Sequence, residues 1–393
     1  MIARRLVFLF PGFEPMPVGA HADRFRRAAQ KSAEAWGARV EFGEAADAAA
    51  ARGPFLALSA ILTMDGRRTE TELVFCDWSD LIRAYGARPP LRRFALGVRA
   101  LCDFALTGTF LRYCRVSWRY ALFFLYPVLI LVAALSAGIL LAALPALLDL
   151  ASAHLLWSLP LGLLAAFLVL WRASARLHLL TVLDDWAFAA DLCRERNPAI
   201  TARIEAHRAG MAARMAESAA EEIVVAAHSL GASLAVVALA EALPQASPHR
   251  APHVLTVGSS LLKTALHPAA RRQKDAVASL VGRHRLLWVD VQALSDPINF
   301  YRSNPALSLG LGDGRTPVVV RISLKKLVAP ATYRRIKRDF FRLHRQFVLG
   351  AERRNPFSLH MILLGPTPLE RYAGTGTVEA SGAGGEARQG AAT

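Results

Sequence analysis

Cysteine is scarce in this 393-residue chain: four residues, Cys76, Cys102, Cys114 and Cys193, with neither paired nor metal-like spacing. That pattern argues against a disulfide framework and a zinc site and reads as reduced thiols in a cytoplasmic protein. Acidic residues are in deficit, 31 against 47 Lys and Arg, for a formal net charge of +16. Such a surplus suits nucleic acid or an anionic membrane. No zinc-finger spacing, RNA-reading aromatic motif or isolated basic arm accompanies it, so nucleic acid is set aside and a lipid bilayer is the expected partner. A signal-peptide core is missing too, because the apolar run at 6–10 is short and Pro11-Gly12 interrupts it. The run predicts a buried strand and no export.

Charge is lacking from two stretches, 121–148 and 155–171, in a chain that is 54% hydrophobic. Each is near the roughly 20 residues that a spanning helix needs. Asp149 and His154 mark a short polar break between them. Arg112, Arg115 and Arg119 precede the first stretch, Arg172 and Arg176 follow the second, and the break holds no Lys or Arg. The positive-inside rule then predicts two spans with both ends cytoplasmic. Pro127 and Pro145 would kink the first span without excluding it, and Trp157 and Trp171 suit interfacial positions. The competing reading is a pair of helices buried in a large soluble core.

Elsewhere apolar strand candidates (6–10, 56–63, 71–75, 223–227, 253–257, 286–291 and 318–322) alternate with helical patterns such as 22–36, and Asp65-Gly66 signals a hairpin turn. The expected fold class is α/β, a mostly parallel sheet with helices on both faces. Four segments follow: 1–118 and 176–370 as the two parts of the α/β domain, 119–175 as a transmembrane helical hairpin, and 371–393 as a disordered tail poor in apolar residues.

The strongest chemical signal is Glu222-Ile223-Val224-Val225-Ala226-Ala227-His228-Ser229-Leu230-Gly231-Ala232-Ser233, an apolar strand that runs through a small-residue turn into a helix. A nucleophile elbow needs small neighbours because its serine sits on a sharp, strained turn that lifts the hydroxyl above the sheet edge. Ala227 and Gly231 provide that room around Ser229, while His228 is expected to pack within the elbow.

With this motif the chain resembles the lipase and esterase branch of the α/β-hydrolase superfamily, whose Gly-x-Ser-x-Gly elbow corresponds to Ala227-His228-Ser229-Leu230-Gly231. Alanine in the first glycine position is a departure. A second is the hydrophobic hairpin, which keeps the family's lid and pocket assignments from carrying over. The resemblance implies a serine nucleophile, then an acid and a histidine in that chain order. Asp296, on the loop after the strand at 286–291, is the implied acid, ahead of Asp290 and Asp313. His344 is the preferred base and His360, which looks strand-embedded, the alternative. The segment Pro11-Gly12-Phe13-Glu14-Pro15 resembles the family's oxyanion loop, so the backbone amides of Phe13 and Leu230 are the implied donors. No metal or organic cofactor is implied. The expected activity is cleavage of a carboxylic ester, of a lipid or other hydrophobic acyl substrate; the alternative is a catalytically silent scaffold that binds lipid or protein partners at the membrane.

Two further readings concern the surroundings. Residues 333–342 mix cations and aromatics at helical spacing, which fits contact with anionic head groups and equally a solvated helix face. Asp77 and Trp78, after a strand end, are candidates for lining the pocket.

Overall fold

The computed structural model describes residues 1–46, 54–148, 154–246, 250–314 and 316–377. Eight strands form one sheet: β1 Arg4–Phe10, β2 Arg39–Ala46, β3 Phe55–Met64, β4 Arg67–Cys76, β5 Glu222–His228, β6 His253–Val257, β7 Trp288–Ala293 and β8 Val318–Ile322. Their spatial order is β2-β3-β4-β1-β5-β6-β7-β8. From β4 to β8 every pairing is parallel, and β2 and β3 join antiparallel at one edge. β3 and β4 turn at Asp65-Gly66, with φ of 50° and 72°, the positive pair that a tight primed turn requires. β2 was not anticipated from the sequence.

Period-2 alternation divides the central strands between two cores. Leu6, Phe8, Phe10, Ile223, Val225 and Ala227 face one apolar cluster, and Val7, Val224 and Ala226 face the other. Both faces of β1 and β5 are thus buried, as parallel strands covered by helices on both sides demand. The first cluster includes helix Gly231–Ala246 and the second includes helices Val18–Trp36 and Leu359–Leu364.

Two polar side chains close the centre of the sheet. Arg5 and Glu222, 2% and 4% exposed, pair at 2.5 Å. The Arg5 guanidinium also donates to the carbonyls of Ile362, Leu363, Gly365 and Thr367, and the second oxygen of Glu222 accepts from the Leu369 amide at 2.7 Å. The far end of the chain is thereby held against its first strand. This fixes helix Leu369–Thr375, whose Tyr372 is buried, so the expected disorder from 371 is corrected: an internal amide bond and a buried ring order the segment through Thr375. Beyond 377 the tail lies outside the described residues.

Helices Trp118–Leu147 and Leu155–Arg176 are each long and apolar enough to cross a membrane. Buried positions make up only 17% and 11% of their most apolar windows, so the buried-core alternative is not what the chain adopts. Exposed Leu129, Leu135, Ile139, Leu163 and Phe167 give an apolar surface far larger than water-facing patches usually are. The two helices approach closely through small residues. A Cβ at Gly138 would lie 2.9 Å from the Gly162 carbonyl and 3.2 Å from Ala166, which is the small-residue contact that membrane helices use. The polar break at 149–153 lies outside the described residues.

The first of these helices is rooted in the α/β domain. Its opening turns bury Tyr120, Ala121, Phe123 and Phe124, and Tyr120 stacks on Phe300 at 3.8 Å. Replacing Glu222 by Ala leaves a buried guanidinium without its carboxylate, and the expected loss is about 3–5 kcal/mol. A lowered denaturation midpoint in detergent measures it; an unchanged midpoint would show that the pair contributes nothing.

Candidate active site

The strand order reverses direction between β1 and β5: from β1 the chain builds toward β4, and from β5 toward β8. In open α/β sheets the crevice beyond the carboxyl ends at such a switch point is where ligands bind. Here those ends are Pro11-Gly12-Phe13 after β1 and Ser229-Leu230 after β5, with Gly258-Ser259-Ser260 after the neighbouring β6.

Ser229 has φ of 55°, in the left-handed region. The backbone turns so sharply because helix Gly231–Ala246 starts two residues later, packed against the β1 loop. A Cβ at Gly231 would collide with the Pro11 and Phe10 carbonyl oxygens. One at Gly12 would lie 2.8 Å from His228 Nδ1 and 3.2 Å from Ser229 Cβ. Glycine at both positions is what lets the two loops meet. Trp78 props the first of them. Its Nε1 donates to the Pro11 carbonyl at 3.0 Å and its ring packs on Phe13.

Trp78 is therefore fully buried behind the loop and does not line the cavity. Asp77 does not line it either; its carboxylate accepts from the Ser79 amide at 2.9 Å. Both expectations are corrected, because position after a strand end does not say which side of the loop a side chain takes.

Asp296 and His344 meet although 48 residues separate them. Asp296 is fully buried on the turn after β7, and one carboxylate oxygen accepts from the Ile298 amide at 2.9 Å. Its other oxygen lies 2.8 Å from His344 Nδ1. Asn299 fixes that turn by bonding both the amide and the carbonyl of Ala293. An ionised carboxylate only accepts, so Nδ1 carries the proton and Nε2 presents a lone pair. His344 Nε2 is buried and has no hydrogen-bond partner among the described residues. The ring rests against His228, centroids 4.6 Å apart, and His228 Nε2 sits 3.3 Å from the His344 carbonyl. Burial first, then the neighbouring His344, holds the His228 pKa well below its ordinary value, so His228 stays neutral.

Ser229 and His344 line one cavity of about 250 Å³. They are not hydrogen-bonded to each other; among the described residues the partner of Ser229 Oγ is Ser260 Oγ, at 3.5 Å. Neither the Phe13 nor the Leu230 backbone N–H donates to another protein group among the described residues. The cavity thus brings together Ser229, 8% exposed, and His344, with the Asp296 carboxylate behind the imidazole.

His360 is elsewhere. It lies in helix Leu359–Leu364, not a strand, with its ring 4.8 Å from Phe25 and Nδ1 3.4 Å from Ser32 Oγ. Burial pushes its pKa down to about 3. Asp290 is also withdrawn, buried within β7 and bonded to Thr256 and Gln292, with burial raising its pKa to about 6.

The sequence reading missed the cavity's far wall. Tyr120 and Phe123 from the first apolar helix, and His178, Val182 and Asp185 following the second, complete it. Asp185 is neutralised by the buried ammonium of Lys263, which also sits 4.0 Å over the Trp186 ring. Residues 333–342 form two short helices, Pro330–Ile336 and Phe340–Arg345, because Asp339 caps the second through the Arg342 amide. Phe340 packs on Phe123 and Tyr126, and Phe341 on His178. The aromatics of that stretch fasten the His344 segment to the base of the apolar hairpin. Gly258 was missed as well, although a glycine directly after a buried strand hints at a left-handed turn.

No family model, curated protein or solved structure matches this chain.

Gly258 has φ of 54°, and a Cβ there would lie 2.8 Å from Phe347 and 3.3 Å from His344 Cε1. Gly258→Ala is expected to cost about 1–2 kcal/mol in backbone strain and to lengthen the His344–Asp296 bond. A thermal midpoint and a crystal structure check both. Gly19→Ala, in a helix where a Cβ meets nothing within 4 Å, should instead stabilise by up to about 1 kcal/mol.

Proposed function

We propose that the chain is a membrane-anchored serine hydrolase of the α/β-hydrolase type that cleaves a carboxylic ester, of a lipid or another hydrophobic acyl substrate. The observation that carries this reading is the 2.8 Å bond from His344 Nδ1 to buried Asp296, which leaves Nε2 unpartnered in the cavity that Ser229 lines.

In the proposed reaction Ser229 leaves Ser260 and donates its proton to His344 Nε2 as Oγ attacks the ester carbonyl. Asp296 stabilises the imidazolium and holds its orientation. The Phe13 and Leu230 amides, with the N-terminal end of helix Gly231–Ala246, stabilise the developing oxyanion. His344 then protonates the departing alcohol. Water activated by the same imidazole hydrolyses the acyl-enzyme and restores the hydroxyl. Apolar walls from Phe13, Tyr120, Phe123 and Ile298 suit an acyl chain. Because Tyr120 and Phe123 belong to the root of the first apolar helix, a substrate dissolved in the adjoining leaflet has a short route to Ser229.

A catalytically silent scaffold is the second reading, favoured by the absence of a Ser229–His344 hydrogen bond and the 3.5 Å contact with Ser260. Such bonds often tighten only with substrate bound, so labelling separates the two. A fluorophosphonate probe should modify the detergent-extracted protein, and Ser229→Ala should abolish the signal. Asp296→Asn should lower ester turnover by about 10⁴-fold and His344→Ala at least as much, with His360→Ala leaving turnover per folded molecule unchanged. Labelling that persists in Ser229→Ala, or its absence from folded wild type, removes the hydrolase reading.

The arginine bias of the flanks supports a hairpin that spans the bilayer with the α/β domain on the cytoplasmic side. Cys102 and Cys114 are exposed on helices Pro90–Leu106 and Thr109–Val116, just before the first apolar helix. A membrane-impermeant maleimide should reach them only after the membrane is opened, and labelling in intact cells would reverse the orientation.

A further inference from the structure

A second cleft, of about 450 Å³, opens where the apolar helix Trp118–Leu147 begins. Arg115, Arg119 and Arg302 line it, and no carboxylate does. Arg115 and Arg302 are exposed. Arg119 donates to the Leu294 carbonyl at 3.0 Å, and its guanidinium lies 5.0 Å from the Trp118 ring and 5.9 Å from that of Tyr301. Three arginines and no carboxylate among the described lining residues make the cleft a basic surface that favours an anion.

Ser117 and Arg302 shape the cleft from its two sides. Ser117 occupies the position before the helix but its hydroxyl makes no capping bond. Ser117 is 5% exposed and lines the cleft, and among the described residues its buried Oγ has no hydrogen-bond partner. It stands beside the first N–H groups of a 30-residue helix, where the backbone dipole favours negative charge. Arg302, for its part, has φ of 66° and is held there by its amide bonding to Gln292 Oε1 at 2.8 Å. That left-handed backbone sets the direction in which the Arg302 side chain leaves the chain beside the cleft.

We propose that this cleft binds the phosphate of an anionic phospholipid in the leaflet that adjoins the α/β domain. The source is set by location. The cleft begins where the helix becomes apolar, with Trp118 61% exposed at its rim as interfacial aromatics are. A phosphodiester there receives charge-assisted bonds from the arginines and the Ser117 hydroxyl, while its acyl chains run along the apolar helix. The site rests on the hairpin lying in the bilayer and is independent of the chemistry at Ser229.

The test is a titration of the whole protein in neutral detergent with dihexanoyl phosphatidylglycerol, dihexanoyl phosphatidylcholine and inorganic phosphate, read as thermal shift. Phosphatidylglycerol should bind saturably, at least about tenfold tighter than the other two, and more weakly as salt rises. The double variant Arg115→Gln/Arg302→Gly should lose at least about tenfold in that affinity while its ligand-free midpoint holds or rises, since glycine relieves the left-handed backbone. A gain in stability with a loss of binding distinguishes a ligand site from a structural role. Equal affinity for the two lipids, an unaffected double variant, or inorganic phosphate matching phosphatidylglycerol would each overturn the proposal. Release of the protein from membranes by alkaline carbonate would overturn the bilayer residence on which it stands.

Discussion

Everything at the site depends on the contact of two backbones. The loop after β1 and the turn after β5 touch because Gly12 and Gly231 present no side chain where one would meet Ser229 or the Pro11 carbonyl. Where they touch, Ser229 takes its left-handed conformation and the Pro11 carbonyl packs on the start of helix Gly231–Ala246. The strain at Ser229 is borne by strands buried on both faces and by the Arg5–Glu222 pair at their opposite ends.

A second dependence links the imidazole to the apolar hairpin. His344 sits in a six-residue helix whose leading aromatics grip Phe123, Tyr126 and His178, while its own ring is fixed by Asp296, His228 and the space left at Gly258. The membrane-length helices and the cavity are therefore one mechanical unit. Tyr120 belongs to both, walling the cavity and stacking on Phe300. An insertion that looks like an interruption in the sequence is a structural part of the site.

Local signals were legible and distant ones were not. The turn around Ser229 is encoded within a dozen consecutive residues, since strand, small residues and helix follow directly. The two uncharged runs were likewise legible, being long and continuous. The pairing of Asp296 with His344 was expected only from a resemblance, since periodicity does not supply it, and the choice between His344 and His360 depended on where helices fold back. His360 and Trp78 illustrate the difficulty: each sits among residues of suitable type, yet packing turned one toward Phe25 and the other behind Pro11. Within 333–342 the helical spacing was real, but Asp339 restarts the helix and redirects the aromatics. Ser260, Gly258 and the Lys263–Asp185 pair gain significance only from neighbours far along the chain.

The position of β1 between β4 and β5 sets an order of assembly. During synthesis β1 emerges first and can pair with β4, but its other edge stays bare until residues 222–228 appear, after both apolar helices have left the ribosome. The translation machinery therefore handles the greasy hairpin while the sheet is half built and the switch-point crevice does not yet exist. Chains that stall before β5 carry a bare apolar edge on β1 and lack the crevice, which makes them natural targets for quality control.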